Sequence, residues 1–149
     1  GVEVINAGSD QGQLVPMLEQ VKARCGRYPK EALVDGGFVN KDDLDTLSEL
    51  GVTVYAPVPA PKDKTREPHT PLPEDSKAVG AWRERMGTES AKTIYKVRAA
   101  TAECVNALAR NRGLQQFTVR GLDKVKAVML WFALAHNVMR AAALRAAAA

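Results

Sequence analysis

The chain has 149 residues, of which 46% are hydrophobic and 26% charged, and 21 Lys and Arg against 17 Asp and Glu leave a formal net charge of +4. That length can bury roughly two-thirds of its unfolded surface, the apolar fraction excludes a disordered polyelectrolyte, and no run of about 18 uninterrupted apolar residues is present to cross a bilayer. Cys25 and Cys104 have no CxxC spacing, which excludes a disulfide scaffold and reads as two reduced thiols of a cytoplasmic protein.

The opening Gly-Val-Glu-Val-Ile carries no Met and reads as a strand, not a secretory leader, as if a domain were entered part-way. Val2–Ala7 is β-branched and short; Gly8-Ser9-Asp10 follows as a turn, with Ser9 or Asp10 as a helix N-cap. Leu14, Met17, Leu18, Val21 and Cys25 recur at helical spacing, so 13–25 reads as an amphipathic helix ended by Gly26, with Pro16 tolerated in its first turn. Residues 31–35 read as a buried strand running into Gly36-Gly37. Asn40 caps a second helix over 41–50, which Gly51 stops, and 52–58 reads as a third strand. This alternation is the pattern of parallel crossovers in an α/β sheet.

Six prolines between Pro57 and Pro73, with the charged run Lys62–Glu67, make an exposed connection too polar to pack as core. Helical patterning resumes near Ser76, breaks near Gly87 and continues from about Ser90 to Arg112. A last helix runs from Leu122 to the end, with Leu122, Val125, Met129, Phe132, His136 and Met139 on one stripe. The expected organisation is a partial α/β core over 1–59, a Pro-rich connection over 60–75 and a helical part over 76–149. His136 reads as a satisfied core histidine and His69 as solvated. Trp82 reads as a packing residue, with base stacking as its alternative, and Trp131 as packing the last helix.

The net charge hides an asymmetry. Residues 1–59 carry 5 basic and 9 acidic side chains, and residues 60–149 carry 16 and 8. Lys92, Lys96, Arg98, Arg110, Arg112, Arg120, Lys124 and Lys126 stand against only Glu103 and Asp123. Such a region is the footprint of a protein that meets a polyanion, or equally a solvated helical surface.

Two acids stand out. Asp35 closes a parallel strand, where ligands bind in open α/β sheets, and the two following glycines leave its carboxylate uncrowded; it reads also as a plain strand end. On the helix around residue 103, Val97, Thr101, Cys104, Val105 and Leu108 share the face expected to be buried, with Glu103 roughly opposite. Lys96, Asn106 and Arg110 lie near the azimuth of Glu103, and Tyr95 to one side. This is either an ordinary surface ion-pair pattern or a carboxylate set to hold a hard cation among phosphate-binding cations.

On these residues the sequence resembles the catalytic domain of bacterial insertion-sequence DDE transposases. Three stretches carry the resemblance: GVEVINAGSDQGQLVPMLEQ, LVDGGFVNKDDLDTLSELGVTVYAPV and YKVRAATAECVNALARNRGLQQFTVRGLDKVKAVMLWFALAHNVMR. Asp35 matches the second catalytic aspartate, Tyr95 and Arg98 the leading pair of the family's helical signature, and Glu103 its glutamate. Arg110 stands where Lys is usual, and as a planar fork it keeps a phosphate contact.

The resemblance implies a ribonuclease-H-like mixed sheet flanked by helices, truncated at the N-terminus, with a helical C-terminal part. It implies carboxylates holding two Mg²⁺ or Mn²⁺ ions about 3.5–4 Å apart that cleave and transfer DNA strands. Asp35 and Glu103 would be catalytic metal ligands, while Tyr95, Lys96, Arg98 and Arg110 would contact the backbone of double-stranded DNA, both transposon ends and target. A homodimer without membrane association is implied as well. The first catalytic aspartate belongs upstream of Gly1 and Asp10 is a turn-and-cap residue, so this chain alone is expected to be inactive. A non-catalytic DNA-binding remnant and a ribonuclease-H-like nuclease are the alternatives; only the Tyr-Arg-Glu-Arg signature favours the transposase over the nuclease.

Overall fold

The computed structural model describes residues 2–98, 101 and 104–148. They form two compact units, one of Ala7–Arg98 and one of Val2–Asn6 with the described residues beyond Arg98.

The first unit begins with α1 (Leu14–Cys25), which Gly26 ends at φ +75°, a backbone conformation that costs glycine nothing. Gln13 stands at its N-cap without a side-chain bond; the Ser9 hydroxyl instead accepts from the Gln11 N–H, so the expected cap is a local turn. β1 (Glu31–Leu33) pairs in parallel with β2 (Thr53–Tyr55), Ala32 lying opposite Val54. Between them runs α2 (Lys41–Glu49). Asn40 caps it by accepting from the Asp43 N–H at 2.6 Å, and Gly51 turns the chain at φ +72° into β2.

Val54 and Tyr55 are both buried, so β2 is covered on both faces, as a parallel strand should be. Leu14 and Leu18 of α1 and Leu44 and Leu47 of α2 join the same core. Residues 2–7 form no strand: they are irregular, and the sheet of the described residues holds two strands, not three. A β-branched hexapeptide gains strand structure only from a paired neighbour, and the Glu3 carboxylate is engaged elsewhere, by Lys126 at 2.7 Å.

Two helices follow. α3 (Lys77–Gly87) is capped by the Ser76 hydroxyl, which accepts from the Val79 N–H; α4 (Glu89–Arg98) follows after Thr88. α3 closes the outer edge of β2. Thr53 donates to the Lys30 carbonyl and the Tyr55 carbonyl accepts from Val34, so both face β1. Alternation then turns the Val54 and Ala56 carbonyls outward, where Arg85 Nη1 (2.9 Å) and Trp82 Nε1 (3.1 Å) donate to them. Two side chains thus replace the next strand and blunt an edge that would otherwise recruit one.

The Pro-rich connection is anchored more firmly than its composition suggests. Asp75, its side chain only 1% exposed, pairs with Lys41 at 2.8 Å and Arg83 at 2.6 Å and accepts from the Leu72 N–H. Arg83 also donates to the Pro68 carbonyl. His69, expected in solvent, is half-buried beside Gly87 and bonded to Glu67 at 2.9 Å.

In the second unit, α5 (Cys104–Asn111) packs with α6 (Leu122–Ala148). Of the expected stripe along α6, Val125, Met129, Phe132 and His136 are half-buried, whereas its end members Leu122 and Met139 are 49% and 39% exposed. Trp131 does not pack: it is 71% exposed, because it lies on the opposite side of the helix. With 27 residues and a mean hydropathy of 1.4 over its most apolar window, α6 is long and apolar enough to cross a membrane by length and composition alone; His136, Asn137 and Arg140 interrupt it. Cys25 and Cys104 are free thiols at the surface.

The architecture is α/β: a small parallel sheet with helices around it, followed by a helical C-terminal part.

Candidate functional site

Asp35 follows β1 in an extended conformation and caps a single 3₁₀ turn, Gly36–Phe38. Its carboxylate is therefore fixed from below: Oδ1 accepts from the Gly37 N–H at 3.2 Å. The side chain is 58% exposed, so the other oxygen faces outward, and there Arg98 Nη2 reaches Oδ2 at 3.1 Å.

Arg98 is presented by α4, and so is Tyr95, one turn earlier. Helical spacing places Ala91, Ile94, Tyr95 and Arg98 on one face. Ala91 is buried, Ile94 and Tyr95 pack against the core, and Arg98 is half-buried. The Tyr95 hydroxyl donates to the Val34 carbonyl at 3.1 Å. The Arg98 guanidinium lies 6.0 Å from the Tyr95 ring centroid, within range of a cation–π contact. Burial pushes the Tyr95 phenol up, Arg98 draws it down, and the Asp35 charge pushes it up again. Tyr95 thus acts as a neutral strut holding α4 to the end of β1, while Arg98 carries charge to the carboxylate.

The other expected residues are placed differently. Lys96 is exposed on α4, where its charge helps hold the Glu89 carboxyl below the usual range, behind the hydrogen bond and charge of Lys92. Arg110 is exposed on α5, in the second unit. Glu103 lies outside the described residues. The structure therefore brings Asp35, Tyr95 and Arg98 together. The face expected to be buried around residue 103 is not: Val97 is 56% and Val105 45% exposed, and Thr101 and Cys104 are at the surface. α4 instead buries the Ala91–Ile94–Tyr95–Arg98 face, and in α5 only Leu108 of the residues expected to be buried is half-buried.

Trp82 is committed to the core at 4% exposure with its indole N–H on Ala56, so it packs and does not stack a base. Asp10 is exposed, its carbonyl closing a backbone turn with Gln13. The Asp75–Arg83–Lys41 cluster is not foreseeable from sequence, since a charged run in a Pro-rich segment gives no signal of burial.

Asp35 thus stands at the carboxyl end of a parallel strand, where open α/β sheets bind ligands, and α4 brings the Arg98 cation to it. The family model described as "Transposase DDE domain" matches residues 60–142, more than half of the chain, and the protein belongs to that family. The matched segment holds Tyr95, Lys96, Arg98, Glu103 and Arg110; Asp35 lies before it. No curated protein and no solved structure matches the chain.

Proposed function

We propose that this chain is part of the catalytic apparatus of an insertion-sequence transposase that cleaves and transfers DNA strands in the presence of Mg²⁺ or Mn²⁺. In this reading Asp35 and Glu103 are metal-ligating carboxylates. Tyr95, Lys96, Arg98 and Arg110 contact the phosphodiester backbone, which positions DNA without reading its sequence. The observation that carries the reading is the convergence of Asp35 with Tyr95 and Arg98. The residues singled out from two separate stretches of sequence, 63 positions apart, meet through their side chains.

The donor set limits what the chain does by itself. Among the described residues no group of three or more His, Cys, Asp or Glu side chains is placed to hold a cation, and Asp35 meets Arg98 on one oxygen. Acting alone, the 149-residue chain is proposed to bind DNA and not to cut it. Arg98 can bridge from Asp35 to a phosphate, since a guanidinium offers five N–H donors, and Arg110 supplies a second cation.

The test is DNA binding by fluorescence anisotropy across a salt series. Wild-type affinity falls steeply with salt, and Arg98→Ala with Arg110→Ala makes the slope shallower by about 0.9 for each phosphate that is no longer neutralised. An unchanged slope moves the DNA surface elsewhere. Mn²⁺ binding that is the same in Asp35→Asn and Glu103→Gln as in wild type removes the metal assignment.

A further inference from the structure

A cavity of about 180 Å³ opens between α2 and α3 along the outer edge of β2, wholly inside the first unit. Leu44, Val52 and Trp82, all buried, supply its apolar lining. Ser48 of α2 and Ala78 and Ala81 of α3, all exposed, line it as well, and the two alanines leave it open on the α3 side.

The polar groups at this edge are donors. Arg85 lines the cavity and gives Nη1 to the Val54 carbonyl at 2.9 Å, with the guanidinium 5.8 Å from the Tyr55 ring centroid. A guanidinium has five N–H groups, and among the described residues no ion pair includes Arg85. It is a half-buried cation without an anion. The Val54 N–H points the same way as its carbonyl, away from β1. Val54 is 3% exposed, and among the described residues its N–H meets no acceptor. A buried N–H without a partner is rare in a folded chain.

We propose that this cavity binds a small carboxylate carried on a compact apolar body. Both outward carbonyls of the edge, Val54 and Ala56, are already taken by Arg85 and Trp82. A further strand needs those carbonyls, whereas a ligand that only accepts needs what remains. The carboxylate accepts from the Val54 N–H and from Arg85, whose planar fork suits two oxygens, and the body lies against Leu44, Val52 and Trp82. A dry cavity of about 150 Å³ takes benzene, so this one admits a body of about six carbon atoms. Inorganic phosphate would meet the donors but leave the apolar lining to water. The site shares no residue with the Asp35, Tyr95 and Arg98 group, and the inference does not rest on the catalytic reading.

The experiment is titration of the isotope-labelled full chain with benzoate, read by NMR from its N–H resonances. Wild type is expected to show saturable shifts at the Val54 amide, the Trp82 indole and the Arg85 guanidinium. Arg85→Gln keeps a donor for the Val54 carbonyl but removes the charge, and should weaken benzoate about tenfold or more. Ala81→Leu, at an exposed position of α3, fills the opening without touching a donor and should abolish the shifts. Far-UV circular dichroism verifies that both variants keep the wild-type helix content. Inorganic phosphate, charge without body, and benzyl alcohol, body without charge, should each bind about tenfold more weakly than benzoate or worse. Absence of saturable shifts in wild type, phosphate or benzyl alcohol binding as tightly as benzoate, or an affinity unchanged by Arg85→Gln or by Ala81→Leu each overturns the proposal.

Discussion

Arg98 and Asp35, 63 residues apart in sequence, form an ion pair at 3.1 Å in which the cation is 21% and the carboxylate 58% exposed. So exposed a carboxylate leaves the pair largely screened, and its value to the fold is small, under about 1 kcal/mol. Tyr95 is different: its hydroxyl serves the Val34 carbonyl beside a packed ring. Arg98→Ala is therefore expected to lower stability by less than about 1 kcal/mol while weakening DNA binding, and Tyr95→Phe to cost about 1 kcal/mol from the missing hydrogen bond. Urea denaturation beside DNA titration separates the two; a large destabilisation by Arg98→Ala would make the pair structural.

Asp75 makes the fold sensitive to acid. Burial pushes its carboxyl up, but hydrogen bonds from Lys41, Leu72 and Arg83 and the Arg83 charge outweigh that and bring it to about 2. Because the folded value lies below the unfolded one of 3.8, its contribution is complete above pH 4 and is lost as the pH falls toward 2. Asp75→Asn should cost about 3 kcal/mol at neutral pH, since Arg83 is left buried without its charge partner. Thermal melts of the variant should be flatter than wild type between about pH 2 and 4. An equal slope in both proteins would show that Asp75 is not the acid-labile group.

Asp43 has the opposite sign. It is 9% exposed, and its Oδ2 has no hydrogen-bond partner. Burial pushes its carboxyl up, the interaction with Asn40 holds it down, and the neighbouring Asp42 pushes it up. A folded value above the unfolded one means that ionisation opposes folding, and the loss is relieved as the pH falls through the folded value. Asp43→Asn keeps the shape without the charge and should raise stability at pH 7 by about 1 kcal/mol, partly offset by a weaker interaction with the α2 N-terminus. A melting temperature at pH 7 that falls in this variant would contradict it.

Element ends are the legible part of the sequence, because they are set by single residues. Gly26 and Gly51 take the left-handed conformation that stops a helix, and Asn40 and Ser76 cap the helices that follow them. Pairing and phase are not legible. Whether residues 2–7 become a strand depends on a neighbour, not on their own β-branching, and the buried face of α4 is chosen by its fit to the core near β1. Periodicity picks out the half-buried centre of the last helix, Val125, Met129, Phe132 and His136, and Trp131, which lies off that stripe, is exposed despite its apolar ring. At the site, residue identity is enough to single out Asp35, Tyr95 and Arg98. Their contact, and the use of Tyr95 as a strut on Val34, are tertiary facts.

The edge of β2 yields the last expectation. Trp82 fills the core and also satisfies the Ala56 carbonyl, whereas Arg85 satisfies Val54 from a position over the Tyr55 ring, 5.8 Å from its centroid. Trp82→Phe loses indole volume and leaves a buried carbonyl without its donor, two penalties that together should cost about 2–4 kcal/mol. Arg85→Ala removes only the guard at the edge, and water can replace its hydrogen bond, so the loss of stability should be about 1 kcal/mol. Its larger effect is on association, because the Val54 carbonyl becomes available to another strand. Light scattering during refolding is expected to rise in Arg85→Ala and to stay at the wild-type level in Arg85→Lys, which retains a donor. Equal scattering in all three proteins would show that the side chains of α3 do not protect this edge.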